Sequence, residues 1–173
     1  MKKYFLLLAC IFTFAVSNVK AQRYAIIDTK YILGKIPEYV DADKKLQLLS
    51  DTWQKEIDDK QVELDKLNKD FEVEQYMLSD DLKKKREAEI AAKEKEIRDL
   101  QKKRFGFDGD LFKQRQRLVK PIQDKIFTAI QKIAVARSYD FILDKSEGIT
   151  VIFADPKLDR SDEVLREMGI KIL

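Results

Sequence analysis

Two stretches of equal length and opposite charge face each other across the middle of this chain. Between Glu38 and Met77, twelve Asp and Glu stand against six Lys and Arg, a net of −6. Between Leu82 and Pro121, fourteen Lys and Arg stand against seven Asp and Glu, a net of +7. Acid on one helix attracts base on the next when the chain doubles back. The pattern therefore predicts one antiparallel helical hairpin, residues 38–121, with its tip near Leu78–Asp81. At 1.5 Å rise per residue, each limb of 40 residues reaches roughly 60 Å. A rod two helices thick and that long encloses no interior, so it must project from a body built elsewhere in the chain.

The apolar residues agree with that reading. Val40, Leu46, Leu49, Trp53, Ile57, Leu64, Leu67, Phe71 and Leu78 recur mostly three, four or seven apart, a heptad-like stripe. The return limb is sparser, marked by Leu82, Ile90, Ile97, Leu100, Phe107, Leu111 and Leu118. Ser79 is placed to cap the second helix, and Asp80 and Asp81 suit the positive end of its dipole. A turn at Phe105–Gly109 would pair limbs of very unequal length. Closing the hairpin at Leu78–Asp81 instead sets Trp53 opposite Gly106. Trp53, Phe105, Gly106 and Phe107 are then expected to pack within the arm, the glycine making room for the indole and Phe105–Gly109 forming a kink. A hinge without packing is the plainer alternative.

The ends of the chain read differently. Lys2 and Lys3 precede an apolar run of 13 residues, Tyr4–Val16, and Val19-Lys20-Ala21 offers a small-residue cleavage site before Gln22. Residues 1–21 are expected to be a cleaved signal peptide, the run being too short to span a bilayer. A lipoprotein site at Leu7-Leu8-Ala9-Cys10 is disfavoured because Cys10 sits too early. The body is expected from residues 22–37 plus 122–173, an α+β unit of fewer than 70 residues. Its strands are read at Arg23–Asp28, Tyr139–Leu143 and Ile149–Phe153, the last two as a hairpin. Ser161 is read as the cap of a closing helix running through Met168. Tyr24, Ile26, Ile27, Ile142, Leu143, Val151 and Ile152 are the expected body core and oligomer contacts. A core this small, with open sheet edges and no disulfide after export, predicts oligomerisation.

Several chemistries are excluded. The chain has no His and one Cys, Cys10, so Ser-His-Asp, Cys-His and the usual zinc sites are out of reach. The Gly106/Gly109 pair matches neither nucleotide-binding fingerprint. No catalytic, cofactor or metal residues are expected, and no enzyme. Removing the signal peptide takes away three lysines and leaves 31 basic against 31 acidic residues, which gives no argument for a nucleic-acid partner.

The order and spacing of these elements resembles the Skp/OmpH family of periplasmic chaperones for outer-membrane proteins. The resemblance rests on Tyr24-Ala25-Ile26-Ile27-Asp28, then Tyr31-Ile32-Leu33 and Pro37-Glu38-Tyr39, the charged hairpin, Asp140-Phe141-Ile142-Leu143-Asp144 and Asp159-Arg160-Ser161-Asp162-Glu163-Val164-Leu165. It covers essentially the whole exported chain. It implies a periplasmic homotrimer with a small β-barrel-like trimerisation body and three coiled-coil tentacles. Unfolded outer-membrane β-barrel proteins would be held in the cavity between the arms, without ATP or cofactor. Two features depart from the family pattern: the exported chain is formally neutral, and Phe105–Gly109 interrupts the arm.

A holdase of that kind needs adaptable apolar contacts on arms charged enough to stay soluble. Tyr76, Met77 and Leu78 at the tip are the candidate client contacts, with Lys83, Lys84, Lys85 and Arg86 beside them. The plainer reading is that the first three close the hairpin end and the basic residues neutralise the acidic limb. A weak contact with membrane or lipopolysaccharide is left open. The competing function is a structural spacer or adaptor hairpin of an envelope complex, which would call for an uninterrupted apolar seam.

Overall fold

A computed structural model describes residues 22–146, 148 and 151–171, so the expected signal peptide lies outside the described residues. Strand β1 (Tyr24–Ile27) buries its last three residues. Asp28 ends it and accepts a hydrogen bond from the Tyr31 amide at 2.9 Å, capping the short helix α1 (Thr29–Lys35). Extended Ile36 breaks that helix, and Pro37, whose ring presets the helical φ and whose missing N–H costs nothing in a first turn, starts α2 (Pro37–Glu74). Those 38 residues span about 57 Å as one unbroken helix. The chain reverses over residues 75–79, a few residues earlier than expected, and returns as α3 (Asp80–Phe105). Ser79 stands at the cap position, yet its carbonyl receives the Lys83 amide and its side chain caps nothing.

The return limb breaks at residues 106–109 and resumes as α4 (Asp110–Arg137). Helix α4 runs straight through Pro121, which is exposed, and so serves arm and body in turn. Its first half sets Val119 against Ala42 and Leu46 of α2. Its second half sets Ile122, Ile126, Ala129 and Ile133 against Ile27, Ile32, Ile36, Val164 and Leu165. Ser138 ends the helix in the left-handed region at φ 53°.

Strand β2 (Phe141–Asp144) pairs with β1 in parallel, Tyr24 opposite Phe141 and Ile27 opposite Asp144, so the whole arm is the crossover between them. This corrects the expected hairpin. The described residues of its second strand, Val151, Ile152 and Phe153, form no strand; Ile149 and Thr150 lie outside the described residues. Among the described residues the sheet has two strands, with a single further bridge from Ile26 to Asp159. A sheet this narrow leaves one edge and one rim open. Tyr24 is therefore exposed and stacks on Phe141 at 5.6 Å, and Ile152 is 95% exposed, so neither belongs to the core of a single chain. Ile26 and Ile27 are buried; Ile142, Leu143 and Val151 are half-buried.

The closing helix α5 (Ser161–Glu167) buries Val164 and Leu165. Ser161 is its first residue rather than its cap. Its hydroxyl, buried, accepts the Asp28 amide at 2.8 Å and ties α5 to the end of β1.

Candidate functional site

The arm is held by separate apolar clusters rather than a continuous seam. Ile57, Leu64 and Ile97 form the distal one, with Ile90, Leu100 and Phe105 against it; Ala42, Leu46 and Val119 form the proximal one. Between and beyond them the limbs are bridged by charge: Glu56–Arg104 at 3.1 Å, Glu63–Lys93 at 3.2 Å, Lys60–Glu96 at 2.7 Å and Glu74–Arg86 at 3.7 Å. Three of the four run from acid on α2 to base on α3, as the opposed charges of the two limbs require. Pairs this exposed contribute little stability each, but they select the antiparallel partner face.

At the tip, the turn presents Tyr76 at 85% and Met77 at 79% exposure, with Leu78 half-buried. Behind them Leu78, Leu82, Lys85, Arg86 and Glu89 line a concavity of about 270 Å³. The basic cluster divides. Arg86 is engaged by Glu74 and by Glu89 at 2.9 Å, which fits neutralisation of the acidic limb. Lys83, Lys84 and Lys85 have no ion-pair partner among the described residues, so three cations stand free beside two exposed apolar side chains.

The expected packing at the kink is partly realised. Trp53 meets Phe105 edge-on at 6.5 Å and lies under the Arg104 guanidinium at 4.9 Å, a cation–π contact. Arg104 also holds Asp110 at 2.8 Å and Glu56 at 3.1 Å, joining α2, α3 and α4; the Asp110 hydrogen bond and, against it, desolvation leave its pKa raised. Gly106 does not make room for the indole. A Cβ there would meet the Lys102 carbonyl oxygen at 2.3 Å, so the glycine is required by its own helix end. Phe107 does not flank Trp53 either: it is 92% exposed and stacks on Phe112. Trp53 thus lies against Phe105, one residue from the expected Gly106, and the four residues that follow are looped out of the return limb and carry Phe107 away from the indole.

The body carries a polar knot at the carboxyl ends of its strands that the sequence did not announce. The Asp144 carboxylate accepts the Thr29 hydroxyl, the Thr29 amide at 3.2 Å and the Ser146 amide at 2.9 Å. Burial pushes the Asp144 carboxyl up, but these hydrogen bonds outweigh it and hold it below the usual aspartate range. Asp159 behaves alike: burial opposes its charge, while Lys145 at 2.7 Å and the Ser161 amide at 2.8 Å win. Every one of these groups is satisfied within the fold. The knot locks α1 and α5 onto the strands. Among the described residues no cluster of Cys, Asp or Glu is placed to hold a metal ion, and no helix is long and apolar enough to cross a membrane.

A small mixed body from which a charged two-helix arm projects places the chain among hairpin-armed proteins. Residues 23–168 match the family described as outer membrane protein (OmpH-like), and the chain belongs to that family. No curated protein matches the sequence. Among solved structures, the fold is similar to that of an OmpH-like protein from Caulobacter crescentus CB15, provisionally assigned as an outer membrane chaperone. The TM-score is 0.63 at 18% identity, with 89% of each chain covered. At that identity the likeness bears on fold.

Proposed function

We propose that the protein is a non-enzymatic, ATP-independent holdase of the periplasm that keeps unfolded outer-membrane β-barrel proteins from aggregating. Family membership supports the chaperone role. The observation that carries the reading is the arm tip, where Tyr76 and Met77 stand side by side, 85% and 79% exposed, on a heavily charged arm. Large apolar side chains left in water at the far end of a long lever stabilise nothing in the fold. They suit transient contact with an unfolded chain, whose apolar side chains and unpaired strand edges drive aggregation. The solvated flanks keep the loaded arm soluble.

A homotrimer completes the proposal. Tyr24 and Phe141, stacked on each other, and Ile152 and Phe153 leave apolar surface exposed on the body, which strands of neighbouring copies would cover by closing a barrel-like core and hanging three arms around a cavity. A spacer or adaptor role fits less well, because the seam is split into clusters and interrupted at residues 106–109. The test is to dilute a urea-unfolded outer-membrane barrel protein into the purified chaperone. Light scattering is expected to stay flat at a few-fold excess of trimer, and Tyr76→Ser with Met77→Ser is expected to raise the amount required several-fold. A wild-type protein that leaves scattering unchanged would refute the holdase reading and favour the spacer.

A further inference from the structure

The break in the return limb is a constructed feature. Opposite it α2 continues without interruption, so Gly106-Phe107-Asp108-Gly109 is a loop extruded from one side of a two-helix rod. Both glycines are sterically required: a Cβ on Gly106 would lie 2.3 Å from the Lys102 carbonyl oxygen, and one on Gly109 2.9 Å from backbone atoms of Arg104 and Gly106. Arg104 staples the loop shut through Asp110 and anchors it to α2 through Glu56 and Trp53. What this joint achieves is to push Phe107 outward, 92% exposed, and stack it on the 38%-exposed Phe112 at 6.1 Å and 17°. Leu48, Val62 and Val73 are also exposed on the arm, but each is a lone side chain on an unbroken helix. Lys102 and Lys103 precede the loop, the Lys102 side chain lying against Gly106, and Lys113 follows Phe112; all three are exposed and without an ion-pair partner among the described residues.

We propose that the Phe107–Phe112 pair, with its lysine rim, is a second capture point for unfolded polypeptide midway along the arm. It would take an aromatic or branched apolar side chain that has an Asp or Glu close by in the client. The stacked rings offer an open face to the first, and the unpaired lysines complement the second. An anionic bilayer is the weaker occupant. Asp108 sits beside Phe107 in the loop, and three lysines fall short of the roughly four to eight clustered basic residues that mark an anionic-lipid site.

The inference rests on the holdase reading, and the experiment separates the two. In the full exported chain, a photoreactive benzoylphenylalanine is placed at position 107, or at 62 or 73 as controls. A urea-unfolded outer-membrane barrel protein is then captured and irradiated. Crosslinking is expected at 107 well above both controls. Phe107→Ser with Phe112→Ser is expected to weaken client binding about 3- to 10-fold, the worth of an aromatic contact. Circular dichroism and Trp53 emission should not change, since the rings support little of the fold. Lys102→Gln, Lys103→Gln and Lys113→Gln together should reduce the salt dependence of binding. Wild-type protein that binds no client would overturn both readings. Wild-type binding that is indifferent to the Phe pair, or crosslinks no stronger at 107 than at 62 and 73, overturns this inference alone. So does a Phe pair needed for anionic vesicle binding but not for client binding.

Discussion

Arg104 shows how one side chain can set the geometry of a long arm. Its guanidinium reaches acids on two different helices and covers the only tryptophan of the chain. A lysine could keep one of those pairs but neither the fork nor the stacking surface. Its Nε is buried without a hydrogen-bond partner among the described residues, a local cost accepted where three helices must meet. Asp144 reaches across a longer span of sequence to Thr29, while Asp159 holds Lys145 and Ser161 close by. Because their native pKa values lie below the ordinary aspartate value of 3.8, the stability they contribute is fully present above that value. It is lost as pH falls below 3.8 through the depressed native values. Asp144→Asn is therefore expected to lower the melting temperature at pH 7 and to flatten its fall between about pH 4 and 2. Melting curves across that range check it; an unchanged acid limb would remove Asp144 from the account.

At the scale of elements, the arm depends on a few buried positions spaced far apart. Ile57, Leu64 and Ile97 are 5–7% exposed and touch across the hairpin, whereas Val62, two residues before Leu64 and on the opposite face of the helix, is 68% exposed. Truncating Leu64 to Ala is expected to cost about 2–4 kcal/mol by loss of transfer and cavity terms, against about 0.5 kcal/mol or less for Val62→Ala. Urea unfolding followed through Trp53 emission reads both. Equal effects would mean that the seam is not where the arm gets its cohesion. The spacing of these clusters was legible in the sequence, because apolar period and opposed charge are properties of each helix alone. The break at Phe105–Gly109 was legible as a kink, but not as an extruded loop. Which side chains it buries and which it ejects depends on four residues being expelled from the register, and a residue-by-residue pairing of straight limbs cannot see that.

For the whole molecule, the balance lies between a small buried core and a large open rim. Ile32 and Leu165 are fully buried, and their cluster gathers β1, α1, α4 and α5. Yet Tyr24, Phe127, Phe141, Ile152 and Phe153 remain exposed on the chain. Under the proposed assembly, light scattering of the exported chain is expected to give the mass of three copies. Tyr24→Ser with Phe141→Ser should shift it toward one copy, and a wild-type monomer would defeat the trimer.

The hairpin, its sign and the approximate place of its tip follow from the sequence by itself, since charge blocks and helical period act between near neighbours along the chain. The body was decided by the tertiary structure. Parallel pairing of β1 with β2, the hold of Asp144 on Thr29 and the reach of Ser161 to Asp28 join residues more than a hundred positions apart. No local pattern encodes them. They exist because the arm, folding back on itself, returns the two ends of the body to one place.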